Sequence, residues 1–214
     1  MKDILHPEQK EYLESFDNET NKLLLEMEEF ADKNNVPILS RDSAKLMELL
    51  IQLNRPERVL ELGTAIAYTT IRIAANLKKG SKIHTIEFSE DNSKLAKLYV
   101  KKSGFTKKIK LIFGNAKKVM PTLKKKYDFI FLDADKEDYS DLFKLAMKLL
   151  KKNGILFVDN LLWHGYAASK EVPEKFKTST KFIRDFNKIF MDHPKLKTTL
   201  LPVGDGIGLG IRIK

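Results

Sequence analysis

Two acidic runs at the ends of apolar, β-rich segments carry the most chemistry in this 214-residue chain. One is Phe131-Leu132-Asp133-Ala134-Asp135-Lys136, the other Phe157-Val158-Asp159-Asn160. If both segments are parallel strands of one sheet, Asp133, Asp159 and Asn160 converge at the same edge. Two carboxylates and an amide oxygen form a hard, oxygen-only donor set that suits Mg²⁺, with Mn²⁺ or Ca²⁺ as alternatives, over Zn²⁺. Three protein ligands leave positions for substrate oxygens and water. Lys136, three residues past Asp133, reaches a hydroxyl bound to such a cation, and a partly desolvated lysine beside a cation has its base-competent form favoured. Each acid alone is an ordinary solvated strand end; the combined spacing makes the site.

A third stretch, Glu61-Leu62-Gly63-Thr64-Ala65-Ile66-Ala67-Tyr68, places small residues at 63, 65 and 67 in a tight strand-to-helix turn. It is neither a G-x-G-x-x-G turn nor a phosphate loop with its lysine, and it leaves little room for a pyrophosphate. Glu87, roughly 20 residues on at the end of the next strand, suits hydrogen bonds to both hydroxyls of a ribose. Gly114-Asn115-Ala116 follows the third strand, where an adenine edge can be read. Together these positions suit a nucleoside cofactor held without a phosphate clamp.

The elements that must position these residues are legible in the periodicity. Leu23, Leu24, Met27 and Phe30–Ala31, then Leu46, Leu49, Leu50 and Leu53, recur at helical spacing on either side of a break at Asn34–Pro37. From residue 57 short β-rich runs (Arg58–Leu62, Lys82–Ile86, Ile109–Phe113, Phe129–Leu132, Ile155–Val158) alternate with helical stretches at Thr69–Leu77, Asp91–Lys102, Ala116–Leu123 and Tyr139–Leu150. Such alternation predicts right-handed βαβ units and a parallel sheet covered on both faces. A helix around Pro173–Met191 precedes Thr198–Pro202 and Gly208–Ile213, which Val203-Gly204-Asp205-Gly206 joins as an antiparallel hairpin. The expected fold is a doubly wound, Rossmann-like α/β sheet of seven strands, mostly parallel, with N-terminal helices in front. Residues 1–54 form a helical segment packed on the sheet domain, 55–214, in one structural domain.

The chain has 39 Lys+Arg against 29 Asp+Glu, a net charge of +10. Residues 1–50 carry 6 basic and 12 acidic side chains, whereas 101–152 carry 15 and 6. A basic middle suits a polyanionic partner, and it equally suits lysines dressing solvated helix faces. With no cysteine, disulfides, thiolate zinc sites and cysteine nucleophiles are excluded. No apolar run reaches the roughly 18 residues of a membrane span, and Met1–Lys10 lacks a signal-peptide core. The chain reads as soluble and cytoplasmic. The apolar faces of residues 1–34 exceed what one sheet needs and read as a homodimer contact.

Taken together, Glu61-Leu62-Gly63-Thr64-Ala65, Asp133-Ala134-Asp135-Lys136-x-x-Tyr139, Asp159-Asn160 and Pro202-Val203-Gly204-Asp205-Gly206 resemble the class I S-adenosylmethionine-dependent O-methyltransferases of the catechol and caffeoyl-CoA type. The resemblance covers nearly the whole chain. Val36-Pro37-Ile38-Leu39 and Met191-Asp192-His193-Pro194 look like the bacterial tRNA 5-hydroxyuridine methyltransferases, which convert the wobble uridine to 5-methoxyuridine. The resemblance implies Asp133, Asp159 and Asn160 on Mg²⁺ and Lys136 as general base. It also implies S-adenosylmethionine on Glu61, Gly63 and Tyr68, with Glu87 on its ribose. Leu39, from the helix-to-strand entry segment, Ala116 and the Asp133 backbone close around its ends. Ala67 stands where the family usually has glycine, and Asn115 where an Asp is common; Asn keeps an acceptor oxygen.

In 5-hydroxyuridine the 5-hydroxyl lies beside the 4-carbonyl, so both oxygens can share one metal as a catechol does. The expected partner is the tRNA anticodon loop; a small catechol-like vicinal diol uses the same residues. A nonenzymatic nucleic-acid binder on a decayed fold is a third reading, and the intact Asp133/Lys136/Asp159/Asn160 set argues against it. Trp163 suits stacking on a flipped base and suits equally an apolar lid anchor. His84 and His164 read as structural or solvent-facing rather than catalytic. The placement of Lys101–Lys102, Lys107–Lys110, Lys117–Lys118 and Lys124–Lys126 relative to the pocket mouth separates an RNA substrate from a small diol.

Overall fold

Alternation along the central strands dictates the layering. In β1 (Arg58–Leu62) and β4 (Tyr127–Leu132), Val59, Phe129 and Phe131 face one side and Leu60, Leu62, Ile130 and Leu132 the other, all buried. Strands apolar on both faces need helices on both. One face packs against α2 (Lys22–Asn34), α3 (Arg41–Asn54), α4 (Tyr68–Asn76) and α5 (Glu90–Ser103) through Met27, Met47, Ile51, Ile71 and Ala96. The other packs against α7 (Tyr139–Leu149) and α8 (Glu174–Met191) through Leu142, Phe143, Ile183, Phe186 and Phe190. The structure, a computed structural model, describes residues 6–214. Met1–Leu5 of the N-terminal segment lie outside it.

With β2 (Lys82–Glu87), β3 (Ile109–Phe113), β5 (Leu150–Val158), β6 (Leu196–Leu201) and β7 (Ile207–Arg212), the sheet has seven strands in the order β3-β2-β1-β4-β5-β7-β6. Only β7 runs antiparallel to its neighbours β5 and β6. This is the expected fold: a doubly wound sheet ending in a hairpin. Chain order reverses between β1 and β4, which pair directly. The crevice where such sheets bind ligands therefore opens beyond Leu62 and Leu132.

Local departures from the periodicity have local causes. The helix expected over Ala116–Leu123 is one α turn, α6 (Ala116–Val119), followed by a 3₁₀ turn at Met120–Thr122. Pro121 has no N–H to continue the α ladder. Leu150 leaves α7 and opens β5, because it pairs with Tyr127. Leu39 lies between two helices, α2 and α3, rather than at a helix-to-strand entry. Asn21, Ser40 and Ser89 cap α2, α3 and α5 with their side-chain oxygens, each contributing about 1 kcal/mol.

The acidic N-terminal segment folds inward. Arg72 of α4, only 4 % exposed, donates to Glu19 at 2.9 Å, Glu48 at 2.7 Å and the Tyr68 hydroxyl at 2.9 Å. Tyr68 in turn donates to Glu28 at 2.5 Å, and Arg41 binds Glu28 and Asp17. The apolar face of α2 is likewise consumed by the core, through Leu24, Met27 and Ala31. In contrast, α1 (Pro7–Glu14) buries no residue, and Tyr12, Leu13 and Phe16 stay exposed. Among the described residues, no helix is long and apolar enough to cross a membrane.

Candidate active site

Three loops at the C-terminal edge of the sheet meet at the β1/β4 crevice. After β1 the chain turns through Gly63 at φ +97°, and a side chain there would overlap the carbonyl oxygen of Asp133. Only glycine lets the two loops approach this closely. Ala65 (φ 47°) and Ala67 (φ 72°) then take left-handed backbone before α4 begins. That conformation costs an alanine about 1–2 kcal/mol, which is a physical reason for glycine to be usual at position 67. Tyr68 starts α4, and its hydroxyl is taken by Glu28 and Arg72, so the loop retains only its backbone.

Glu87, at the end of β2, staples this turn to the next one. Its carboxylate accepts from Ala65 N at 2.8 Å and Ser89 N at 2.6 Å, and each oxygen keeps a lone pair for a hydroxyl donor. Asn115 caps α6 by accepting from Lys117 N at 2.9 Å, a job Asn and Asp perform equally well. Ala116 follows it, half-buried. Glu61 sits beneath the turn, fully buried. Burial, with the Asp133 and Glu87 carboxylates adding to it, pushes its carboxyl up to about 8 against the hydrogen bond from Thr70. Its Oε1 has no hydrogen-bond partner among the described residues. Leu39 is buried beside Ser40, whose hydroxyl, with that of Ser43, occupies the space a side chain on Gly204 of the β6–β7 turn would need.

The structure brings Asp133, Lys136, Asp159 and Asn160 together. Lys136 Nζ lies 3.2 Å from Asp133 Oδ1, 3.1 Å from Ala134 O, 2.8 Å from Tyr139 Oη and 2.7 Å from Asn160 Oδ1. Asn160, at φ 62°, donates its backbone N–H to Asp159 Oδ1 at 2.7 Å. Burial, reinforced by the Asp133 carboxylate, pushes the Asp159 carboxyl up to about 7. Burial also holds the Tyr139 phenol well above its ordinary value, so it stays protonated and donates to Asp159 O at 3.0 Å.

The donor set fits a divalent cation. An ammonium already bridges Asp133 and Asn160 among four oxygens, and the Asp159 carboxyl beside them resists ionising in the absence of more positive charge. Among the described residues no group of three His, Cys, Asp or Glu is placed to hold a metal, so a cation here depends on the Asn160 amide as third ligand.

Sequence reasoning missed two supporting groups. Asp205 of the β6–β7 turn accepts from Asn160 Nδ2 at 3.2 Å and from His164 N at 2.5 Å, turning the Asn160 oxygen toward Lys136. Its turn was legible; its reach across to β5 follows only from the antiparallel pairing. Arg184 of α8 donates to the carbonyls of Tyr166, Ala167 and Ser169 and clasps the loop that follows Asn160. In that loop Trp163 and His164 both take left-handed backbone, and the Trp163 ring lies 5.5 Å from Lys136 Nζ.

The lysine clusters divide by strand direction. Lys107–Lys110 flank the start of β3 and Lys124–Lys126 precede β4, so both lie at the edge opposite the site. Lys108 caps α4 there, donating to Ala74 O and Leu77 O. Lys101–Lys102 end α5, with Lys102 paired to Glu26. Lys117–Lys118 alone among the four clusters open a helix at the site edge, and Lys117 is held by Asp138.

A family model described as O-methyltransferase matches residues 14–213. The chain is 31 % identical over 191 residues to caffeoyl-CoA O-methyltransferase of Medicago sativa, covering 84 % of this chain and 76 % of that one. It is 30 % identical to caffeoyl-CoA O-methyltransferase 2 of Populus trichocarpa, over the same shares. A crystal structure from Staphylococcus aureus superposes with a TM-score of 0.86 at 29 % identity, covering 96 % of this chain and 98 % of that one. The SAH-bound methyltransferase of Podospora anserina superposes with a TM-score of 0.86 at 25 % identity, covering 98 % and 97 %.

Proposed function

The chain belongs to the O-methyltransferase family, and from that premise we propose that its substrate hydroxyl is the 5-hydroxyl of wobble 5-hydroxyuridine in tRNA. As an S-adenosylmethionine-dependent O-methyltransferase, it forms an O–CH₃ bond as the S–CH₃ bond breaks, and the hydroxyl proton must leave. The observation that carries the reading is Lys136 Nζ among the oxygens of Asp133, Tyr139 and Asn160. Among the described residues it is the basic nitrogen set among these oxygens, and in its neutral amine form it is positioned to take the proton. Asp133, Asp159 and Asn160 would hold Mg²⁺, or Mn²⁺ or Ca²⁺; the cation supplies charge that favours the deprotonated hydroxyl. Lys136 shares the Asp133 and Asn160 oxygens that would hold the cation, and Ala134 O and Tyr139 Oη tether it beside them.

On the cofactor side, Glu87 would accept from the ribose hydroxyls and Ala116 would lie against the adenine. Gly63 and the backbone of Tyr68 would line its floor, with Glu61 beneath and Leu39 closing one end. Trp163, held over the site by the clasped loop, walls off water, which strengthens every charge interaction inside. The exposed apolar side chains of α1 are the surface through which two copies pair.

A second reading, methylation of a small catechol-like diol, draws on the relatives named for caffeoyl-CoA and on the single lysine cluster flanking the site. Methyl transfer to hypomodified tRNA and to a simple catechol, each with and without Mg²⁺, separates the two. tRNA product that requires Mg²⁺ is expected; efficient catechol turnover with no tRNA product refutes the tRNA assignment. Lys136→Met is expected to lower turnover about 10²–10⁴-fold without weakening Mg²⁺ binding by calorimetry. Full turnover in that variant would remove Lys136 from its role.

A further inference from the structure

Four parallel strands, β3, β2, β1 and β4, lie side by side, so their starts share one edge, opposite the candidate active site. Each start is basic: Lys110 in β3, Lys78, Lys79 and Lys82 at β2, Arg58 in β1, Lys124 and Lys125 before β4. Two adjoining cavities open there, of about 320 and 520 Å³, and they share His84 and Lys125 in their walls. The first runs along β3 past Lys110 and Ile112 to Val119; the second is lined by Arg58, Lys78, Lys79 and Lys82.

The positive charge of this groove is poorly answered from within. Glu57 is the one carboxylate in either lining, 3.8 Å from Lys78. Lys82 donates to Lys107 O and Arg58 to Lys126 O, both carbonyls that leave the charge uncancelled. Lys79, Lys110, Lys124 and Lys125 have no ion-pair partner among the described residues. His84 is hydrogen-bonded to Tyr127 at 2.8 Å, and burial, with the nearby Lys110 and Arg58 charges, holds its imidazole below the ordinary value.

We propose that this groove binds the phosphodiester backbone of the RNA whose nucleotide is methylated at the opposite edge. The inference rests on the tRNA reading given above. Four adjacent strands set the row of cations about 14 Å long, at roughly 4.8 Å per strand. Strands of five to six residues separate the groove from the catalytic edge by about 17–20 Å, a distance that several nucleotides of an RNA backbone span. The path lies along β3, the edge strand, where Lys110 and Phe113 are exposed and Lys118 follows on α6. A small diol engages none of this, which separates the groove from the chemistry.

The test is tRNA binding measured across a KCl titration for the wild type, Lys110→Ser/Lys125→Ser, and a charge-matched control, Lys97→Ser/Lys101→Ser, on α5 across the sheet. Removing two phosphate contacts is expected to flatten the slope of log K against log [KCl] by about 1.4–1.8 in the groove variant only. Equal slopes in all three proteins, with tRNA still methylated, overturn the groove and leave the tRNA substrate standing. A flattened slope with no methylated tRNA supports the groove and overturns the substrate. A groove-dependent loss seen on anionic lipid vesicles but not on tRNA overturns the assignment to RNA.

Discussion

Replacing Glu61 with Gln changes how the stability of this fold depends on pH, and the size of the change follows from burial. The carboxyl lies fully buried beneath the β1–α4 turn, pushed from 4.5 up to about 8. A raised folded-state pKa means the folded chain keeps a proton that the unfolded chain releases, so stability falls as pH rises from about 4.5 to about 8. Between pH 5.5 and 7.5 the wild type should lose about 2–3 kcal/mol from this one group, since each pH unit between the two pKa values costs about 1.36 kcal/mol. Glu61→Gln keeps an acceptor for the Thr70 hydroxyl and removes the titration. Asp159, raised to about 7, adds a slope of the same sign to both proteins, which cancels in the difference. Urea unfolding at pH 5.5, 6.5 and 7.5 measures it. The variant should gain on the wild type by about 2–3 kcal/mol across that range. A difference that stays constant with pH would show Glu61 ionised in the folded protein and refute the argument.

Gly63→Ala should cost about 3 kcal/mol or more, because the added methyl overlaps the Asp133 carbonyl at a backbone angle hostile to side chains; thermal melting reads the loss, and a melting point within 2 °C or so of the wild type contradicts the close approach. Asp205→Ala frees the Asn160 amide and the His164 N–H, so Mg²⁺ affinity by calorimetry should fall about 10–100-fold, the usual cost of losing a group that orients a metal ligand. Arg184→Ala releases three carbonyls of the loop after Asn160. Proteolytic nicking within residues 163–173 should quicken and KM should rise more than kcat falls; unchanged protection means the clasp is ornamental.

Most of what positions the site was legible because it is local. Apolar runs ending in Asp133, Asp159 and Glu87 read as strands, and once the strands are parallel their ends must share an edge. The lysines show the opposite limit. Lys107–Lys110 and Lys124–Lys126 are conspicuous along the chain, yet which edge they occupy depends on strand direction and neighbour order. The contact of Asp205 with Asn160 escaped notice because β7 must pair with β5 before its turn comes near. The acidic excess before residue 50 is visible as composition, but its partner Arg72 lies up to 53 residues away. Pro121 is the plainest lesson, since one residue turned a two-turn helical pattern into a single turn and a 3₁₀ bend.

The Arg72 clamp has a consequence in time. Glu48 precedes Arg72 by 24 residues and Glu19 by 53. At a synthesis rate of about 5–20 residues per second, the last of these acids leaves the ribosome roughly one to five seconds before its guanidinium. Through that interval the emerging chain is a self-repelling acidic ribbon whose apolar helix faces have no sheet to meet. When α4 arrives it brings the counter-charge and the turn above Glu61 in the same ten residues, so the nascent segment and the β1–α4 turn are completed by one event.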